Sequence, residues 1–228
     1  MLGLGNSITG GAALSDFNIN DLSPKLWLAF NTGQVAIPDV IQWNDQSGNG
    51  SHASQTTDAQ EGDGFVGGAF VSDAGSQDNL DFATTFSSAG AYHVFMVLDL
   101  SEESNETFIS SVDITSFMRF AQGGTAADYR MKNGGTTVNI TLTEGFGTTK
   151  AIAEVSRTAD NGIRVFKNGV ALGAGTGAGT FDFEQIGSSS NGMTSAGIHE
   201  VVIFNEILSS ANATLVRNDI ANRTSISI

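Results

Sequence analysis

The chain has 228 residues, of which 40% are hydrophobic, and its 24 acidic and 10 basic residues give a formal net charge of −14. A chain this acidic lacks the clustered Lys and Arg that phosphate groups require, which excludes nucleic acid as its partner. It has no cysteine, which excludes disulfides and thiolate metal sites.

Residues 1–21 are Gly-rich and mildly apolar, without a helical or strand period. They are either a draped terminus or an arm that docks on a neighbouring subunit. The apolar side chains of such an arm would be Met1, Leu2, Leu4, Ile8 and Leu14. The segment has no secretory signal, and no stretch of the chain reaches the roughly 20 apolar residues of a membrane span. We therefore expect synthesis in the cytoplasm and no membrane insertion.

Strand patterns dominate the chain after this segment. Residues 92–100 are apolar on both faces, which predicts a central strand that is covered on both sides. Asn168 and Gly169 predict a hairpin turn, because both residue types tolerate positive φ. Gly67-Gly68 predicts a bulge or a close backbone approach, and the glycine-rich residues 173–179 predict a flexible loop.

One helix is predicted, directly after Leu208. Ser209 or Ser210 can cap it. Its apolar face would consist of Leu208, Leu215, Val216 and Ile220. The predicted fold class is all-β, a two-sheet antiparallel jelly-roll sandwich with one short C-terminal helix. This domain would span residues 22–228 and follow the arm of residues 1–21.

Three blocks carry a family pattern. Residues 40–50 read W-x-D-x-S-G-N-G from Trp43 onward and are followed by His52, residues 164–169 form a strand ending in Asn-Gly, and residues 197–204 read G-x-x-E-V-x-x-F. These blocks resemble the concanavalin A-like lectin/glucanase superfamily, in its laminin-G-like branch. The resemblance implies a jelly roll over most of residues 22–224. The Gly-rich N-terminus without a signal resembles members found in bacteriophage structural proteins.

No catalytic residue is predicted. The glucanase members resembled here carry an E-x-D-x-x-E strand, in which two carboxylates act as nucleophile and acid/base. This chain has Glu61 and Asp63, but Val66 stands in the third position. His93 and His199 lie within predicted strands, where a hydrogen-bonded structural role is favoured. We expect a protein that is not an enzyme.

Two polar regions are candidate sites. Trp43, Asp45, Asn49 and His52 form either a sugar contact or a turn fixed by side chains that bond backbone N–H groups. A second region could hold calcium, which prefers several oxygen ligands from loops. Its ligands would be Asp58, Glu61 and Asp63, and the alternative is a solvated acidic loop. No other cofactor is predicted.

The leading functional hypothesis is a non-enzymatic virion structural protein of a bacteriophage. It would be a head decoration or a tail or fibre component, made in the host cytoplasm and displayed on the particle surface. Its partners would be other virion proteins or further copies of the same chain. The alternative is a glycan-binding adhesion module that attaches to a host surface, and a glycoside hydrolase comes third.

Overall fold

The structure is a computed structural model that describes residues 17–37, 40–57, 63–71, 78–100, 105–121, 125, 127–187 and 196–228, without the side chains of Ile37 and Val40. Within these residues, 17 strands form two antiparallel sheets, and one α-helix follows the last strand. The predicted all-β sandwich with a short C-terminal helix is therefore confirmed. No helix in the described part of the chain has the length and hydropathy needed to cross a membrane.

The strands are β1 (Leu26–Leu28), β2 (Gln34–Ile37), β3 (Val40–Trp43), β4 (Ala53–Gln55), β5 (Gly64–Val66), β6 (Ala69–Val71), β7 (Asn79–Ser88), β8 (Tyr92–Leu100), β9 (Glu106–Ser110), β10 (Phe117–Phe120), β11 (Asp128–Asn133), β12 (Thr136–Thr141), β13 (Ala151–Arg157), β14 (Gly162–Lys167), β15 (Val170–Thr176), β16 (Phe181–Gly187) and β17 (Ala196–Phe204). Sheet 1 has the order β15-β14-β13-β8-β17-β6-β5, with β1 also paired to β17. Sheet 2 has the order β12-β11-β10-β9-β16-β7-β4-β3-β2.

Strand β8 lies in the middle of sheet 1 and is buried on both faces, as its sequence predicts. Tyr92, Val94 and Met96 point into the main core between the two sheets. Phe95 and Val97 point the other way, into a second core. Because successive side chains of a strand alternate between faces, a strand that is largely apolar on both faces needs a covering layer on each side.

Helix α1 (Ser210–Thr224) supplies the second covering layer. Ser209 caps it, since the Ser209 side chain accepts a hydrogen bond from the N–H of Asn212 at 3.2 Å. The buried side chains of the helix are Ala213, Val216, Ile220, Ala221 and Thr224. Leu215, which we predicted for this face, is only half-buried.

The 3-10 turn Ile19–Leu22 packs on the same second core, and the side chain of Ile19 is fully buried there. Residues 17–21 therefore contact the fold, although the sequence pattern placed them in the arm. The rest of the predicted arm, with Met1, Leu2, Leu4, Ile8 and Leu14, lies outside the described residues.

The turns follow the sequence signals with two exceptions. Asn168 and Gly169 both have positive φ and join β14 to β15, as predicted. Gly67-Gly68 is the hairpin turn between β5 and β6 and not a bulge, but the predicted close approach is present, since a Cβ on Gly68 would lie 2.6 Å from Phe30 Cε2. Residues 173–176 belong to strand β15 and not to a loop. The glycines are needed there because a Cβ on Gly173 would lie 2.8 Å from Ile140 Cγ2 of β12, at the seam where the two sheets meet.

Candidate functional site

The block around Trp43 lies against the main core. The Trp43 side chain is 0% exposed, its ring packs edge-on against Phe65, and its indole N–H donates to the carbonyl of Ala29 at 3.0 Å. A ring without exposed surface cannot stack on a sugar. Trp43 is therefore a residue of the main core.

Asp45 organises the turn that follows. Its buried carboxylate accepts hydrogen bonds from the N–H groups of Trp27 (3.0 Å), Ser47 (2.9 Å) and Ser51 (3.1 Å), and from the Ser47 hydroxyl (2.7 Å). Four donors saturate the oxygens that a ligand would need. The turn is thus fixed by side chain to backbone bonds, which was the structural alternative for this block.

Asn49 and His52 complete the same turn. The Asn49 side-chain amide donates to the carbonyls of Pro24 (2.8 Å) and Lys25 (3.2 Å), next to β1. Nδ1 of His52 accepts from the N–H of Asp45 at 3.0 Å. The structure therefore brings the four predicted residues together, and their hydrogen bonds hold the turn against β1.

The calcium prediction falls mainly on residues that are not described. Asp58 and Glu61 lie outside the described residues, and Asp63 is exposed beside the edge strand β5. Within the described ranges, no three His, Asp or Glu side chains are grouped so that they could hold a metal ion. A calcium site at this loop stays a prediction.

A cleft of about 300 Å³ opens between helix α1 and the outer face of sheet 1. Strand register builds its floor, because Ser156 of β13 lies opposite both His93 of β8 and Arg164 of β14. The next row along the strands holds Glu154 and Phe166. The wall comes from Ile207, Leu208, Ser210, Ala213, Thr214 and Arg217.

A buried polar network closes the floor of this cleft. Glu154 contacts Nε2 of His93 through one oxygen (2.8 Å) and Nη1 of Arg217 through the other (2.6 Å). The N–H of Leu208 donates to Nδ1 of His93 at 3.3 Å. Because Nδ1 accepts, the ring proton is assigned to Nε2, which donates to Glu154. Both ring nitrogens and both carboxylate oxygens are therefore in use.

The residue types of a catalytic triad are present in Ser156, His93 and Glu154. These residues cannot work as a nucleophile, its base and the orienting acid. A serine becomes a nucleophile when a neighbouring base accepts its proton, and His93 has no lone pair left for this. Ser156 is only 4% exposed, and its hydroxyl has no hydrogen-bond partner among the described residues. The hydroxyl is thus free to bind a ligand.

Two further side chains of the cleft could contact a ligand. Arg164 is exposed, with no hydrogen bond or ion pair to any residue that the structure describes. Phe166 is half-buried and belongs to neither core cluster. Together with Ser156 they give the cleft a cation, a hydroxyl and an aromatic ring. This combination suits the binding of a small polar ligand.

The other acid–histidine clusters have structural roles. Nε2 of His199 lies 2.9 Å from Oδ2 of Asp99, whose other oxygen accepts from the N–H of Gly197 at 3.0 Å. Partial burial works to raise the pKa of Asp99, but the hydrogen bonds from His199 and Gly197 outweigh it and leave the pKa below its ordinary value. This pair fixes the start of β17.

Glu200 is the acidic residue of β17, and its side chain is 0% exposed. It accepts from the indole N–H of Trp27 at 2.9 Å and pairs with the guanidinium of Arg223, which lies over the Trp27 ring. Burial raises the pKa of Glu200 above its ordinary value, although Arg223 works to lower it. Glu200 therefore joins β1, β17 and α1.

The cleft could not be predicted from the sequence. Its floor comes from strands far apart in the chain, and their register is not visible in a linear pattern. One signal was available, because His93, Glu154 and Ser156 are polar positions in two strands whose other residues are largely apolar. Buried polar side chains need partners, so such positions indicate either a network or a site.

The sequence matches no protein-family model and no curated protein. Solved structures do match the fold. The binding domain of botulinum neurotoxin serotype D has a TM-score of 0.62 at 13% identity, and the match covers 88% of this chain and 51% of that one. A botulinum neurotoxin type C structure, which concerns cell entry that depends on two ganglioside molecules, has a TM-score of 0.60 at 15% identity, with 89% and 52% coverage.

A sialidase of Trypanosoma rangeli is also similar, with a TM-score of 0.57 at 12% identity and coverage of 90% of this chain and 33% of the enzyme. The chain thus spans about half the length of the botulinum domains, at 51% and 52%. At these identities the likeness concerns the fold, which is a lectin-like β-sandwich.

Proposed function

We propose that the chain is a non-enzymatic glycan-binding domain and that the cleft between α1 and sheet 1 is its binding site. The observation that carries this proposal is the set of unpaired groups in the cleft, Ser156 and Arg164, beside the half-buried ring of Phe166. Sugar binding needs an apolar surface for the ring faces and a few directed polar groups for the hydroxyls.

The geometry supports binding rather than catalysis. The only base beside Ser156 in the described cleft is His93, and its two ring nitrogens are occupied by Leu208 and Glu154. Glu154 is held by two partners, which leaves no carboxylate there to act as a nucleophile or a general acid.

The structural neighbours support the same class of ligand. The type C neurotoxin is described with gangliosides, and the serotype D binding domain is known in complex with N-acetylneuraminic acid. Since this chain spans only about half of such domains, their ligands support the class of ligand and not a shared site.

Replacing Phe166 with alanine is expected to weaken glycan binding about tenfold, which corresponds to one lost aromatic contact. A glycan array would identify a bound sugar, and isothermal titration calorimetry would then measure its affinity for the wild type and the variant. The lost affinity should come without a loss of fold, because Phe166 belongs to neither core cluster.

Phe30→Ala is the matched control, since Phe30 is another half-buried aromatic that does not line the cleft. Its affinity for the same glycan should equal that of the wild type. If Phe166→Ala bound the glycan with the affinity of the wild type, the sugar would have to bind outside this cleft. An array without any bound glycan would refute the proposal.

A second candidate function is that of a bacteriophage virion protein on the particle surface. The outer strands of sheet 1 favour a partner there, because β5 and β15 expose Val66 (55%) and Val170 (66%). Open strand edges with exposed apolar side chains are surfaces that other virion proteins or further copies of the chain can cover. A displayed glycan-binding domain would combine both hypotheses.

Deletion of residues 1–16 tests the arm hypothesis. If these residues dock on a neighbour, the truncated protein should be lost from purified particles while its thermal unfolding temperature stays that of the full chain. Copy number per particle, measured by quantitative mass spectrometry, gives the result. Normal occupancy of the truncated protein would show that the arm is not needed for assembly.

A further inference from the structure

The cleft carries positive charge, although the chain as a whole has a net charge of −14. Its lining holds one carboxylate, Glu154, and two guanidinium groups, those of Arg164 and Arg217. Arg217 is consumed by its 2.6 Å ion pair with Glu154. Glu154 also contacts His93, so the charge of Arg164 is left without a counterion in the described cleft.

The start of helix α1 adds to this charge. Ser210 is the first residue of the 15-residue helix and lines the cleft, and the first turn of the helix contains no acidic residue. A helix N-terminus carries a partial positive charge of roughly +0.5 from its free N–H groups. Without an acidic side chain to compensate it, this end favours an anion in the cleft.

The neighbour of Arg164 on the floor is a hydrogen-bond donor. Ser156 lies directly opposite Arg164 across β13 and β14, and directly opposite residues of an antiparallel pair have Cβ atoms about 5 Å apart. A hydroxyl and a guanidinium at this separation can donate to the two oxygens of one carboxylate. Ser156 lines the cleft, and its hydroxyl has no other partner among the described residues.

One free guanidinium matches one negative charge. A doubly charged phosphate would meet the repulsion of the acidic surface with only one cation to offset it. The volume of about 300 Å³ lies at the lower end of the range for small-molecule sites, which suits a single sugar residue beside Phe166.

We infer that the ligand of the cleft is a glycan that carries a single carboxylate, a sialic or a uronic acid residue, held by Arg164 and Ser156 beside the N-terminus of helix α1. This inference rests on the proposed function and adds the chemical group that the site selects.

The test compares acids with their own neutral esters. The methyl glycosides of N-acetylneuraminic acid and of glucuronic acid would each be titrated into the full chain, alongside the corresponding carboxyl methyl esters. At least one acid should bind about tenfold more tightly than its ester, as expected for one charge-assisted contact. Its affinity should fall as salt is added, and that of the ester should not.

Arg164→Gln should remove this preference by weakening the binding of the acid about tenfold more than the binding of the ester. Arg164 is exposed, so the variant should keep the thermal stability of the wild type. Arg130→Gln is the matched control, because it removes the same charge from sheet 2, where Arg130 donates to Asn139. It should keep the full preference for the acid.

Equal binding of acid and ester by the wild type would overturn the carboxylate inference and leave the glycan-binding proposal standing. A preference that survives in Arg164→Gln would overturn the role of Arg164. Absence of binding by acids, esters and every array glycan would instead refute the proposed function, and the inference with it.

Discussion

Replacing Arg223 with alanine is expected to lower the free energy of unfolding by about 3 kcal/mol near pH 8. The variant leaves Glu200 fully buried without its cation. Glu200 then keeps its hydrogen bond from the indole N–H of Trp27. Breaking a buried ion pair from one side costs about 3–5 kcal/mol, and the partial exposure of Arg223 favours the lower end. Urea denaturation followed by fluorescence measures the change.

The loss in Arg223→Ala should shrink as the pH falls. Burial raises the pKa of Glu200 in the folded state, so this acid favours folding while it is protonated, and its contribution is lost as the pH rises through the folded pKa. Because Arg223 works to lower the pKa of Glu200, this pKa is higher in Arg223→Ala than in the wild type. The loss of the Glu200 contribution therefore extends to higher pH in the variant. The difference between variant and wild type should therefore be smaller near pH 5 than near pH 8.

The double variant Glu200→Gln with Arg223→Ala provides the control. It has no charge to bury, so it should recover part of the stability near pH 8 and show no pH dependence from this site. A loss in Arg223→Ala that is the same at both pH values would mean that Arg223 acts through packing on Trp27 and not through Glu200.

Replacing Trp43 with alanine is expected to cost about 3–5 kcal/mol of folding free energy, as for other fully buried aromatic residues. The variant loses the edge contact with Phe65 and the hydrogen bond to Ala29, and it opens a cavity in the main core. The measurement is again the midpoint of urea unfolding.

Val170→Ala is the control for Trp43→Ala, because Val170 is 66% exposed and its truncation should change stability by no more than about 0.5 kcal/mol. A folded Trp43→Ala protein of near wild-type stability, with weaker sugar binding, would return Trp43 to a ligand-binding role.

Much of the fold could be predicted because its signals are local. The two-sided apolar pattern of β8 requires cover on both faces, and the Asn168-Gly169 pair requires a tight turn. The glycines of β15 were misjudged for a non-local reason. Their lack of side chains serves the contact with Ile140 on the other sheet, and no neighbour in sequence shows this.

The candidate site was harder to predict than the fold. The W-x-D-x-S-G-N-G block contains residue types that bind sugars, but burial of Trp43 and saturation of Asp45 are tertiary facts. The cleft depends on the register that aligns His93, Ser156 and Arg164 across three strands. Register follows from the whole set of strand pairings, so these residues look unrelated in the linear sequence.

The pairing of β1 with β17 has a consequence for how quickly the domain can fold. Leu26 lies opposite Ile203, so the first and last strands of the described domain are neighbours in sheet 1. Most of the chain forms the loop that this pairing closes, and the entropy of closure must be overcome before the contact stabilises the fold. Sheet 1 should therefore be completed late, and refolding should be slow in comparison with that of helical domains of similar size.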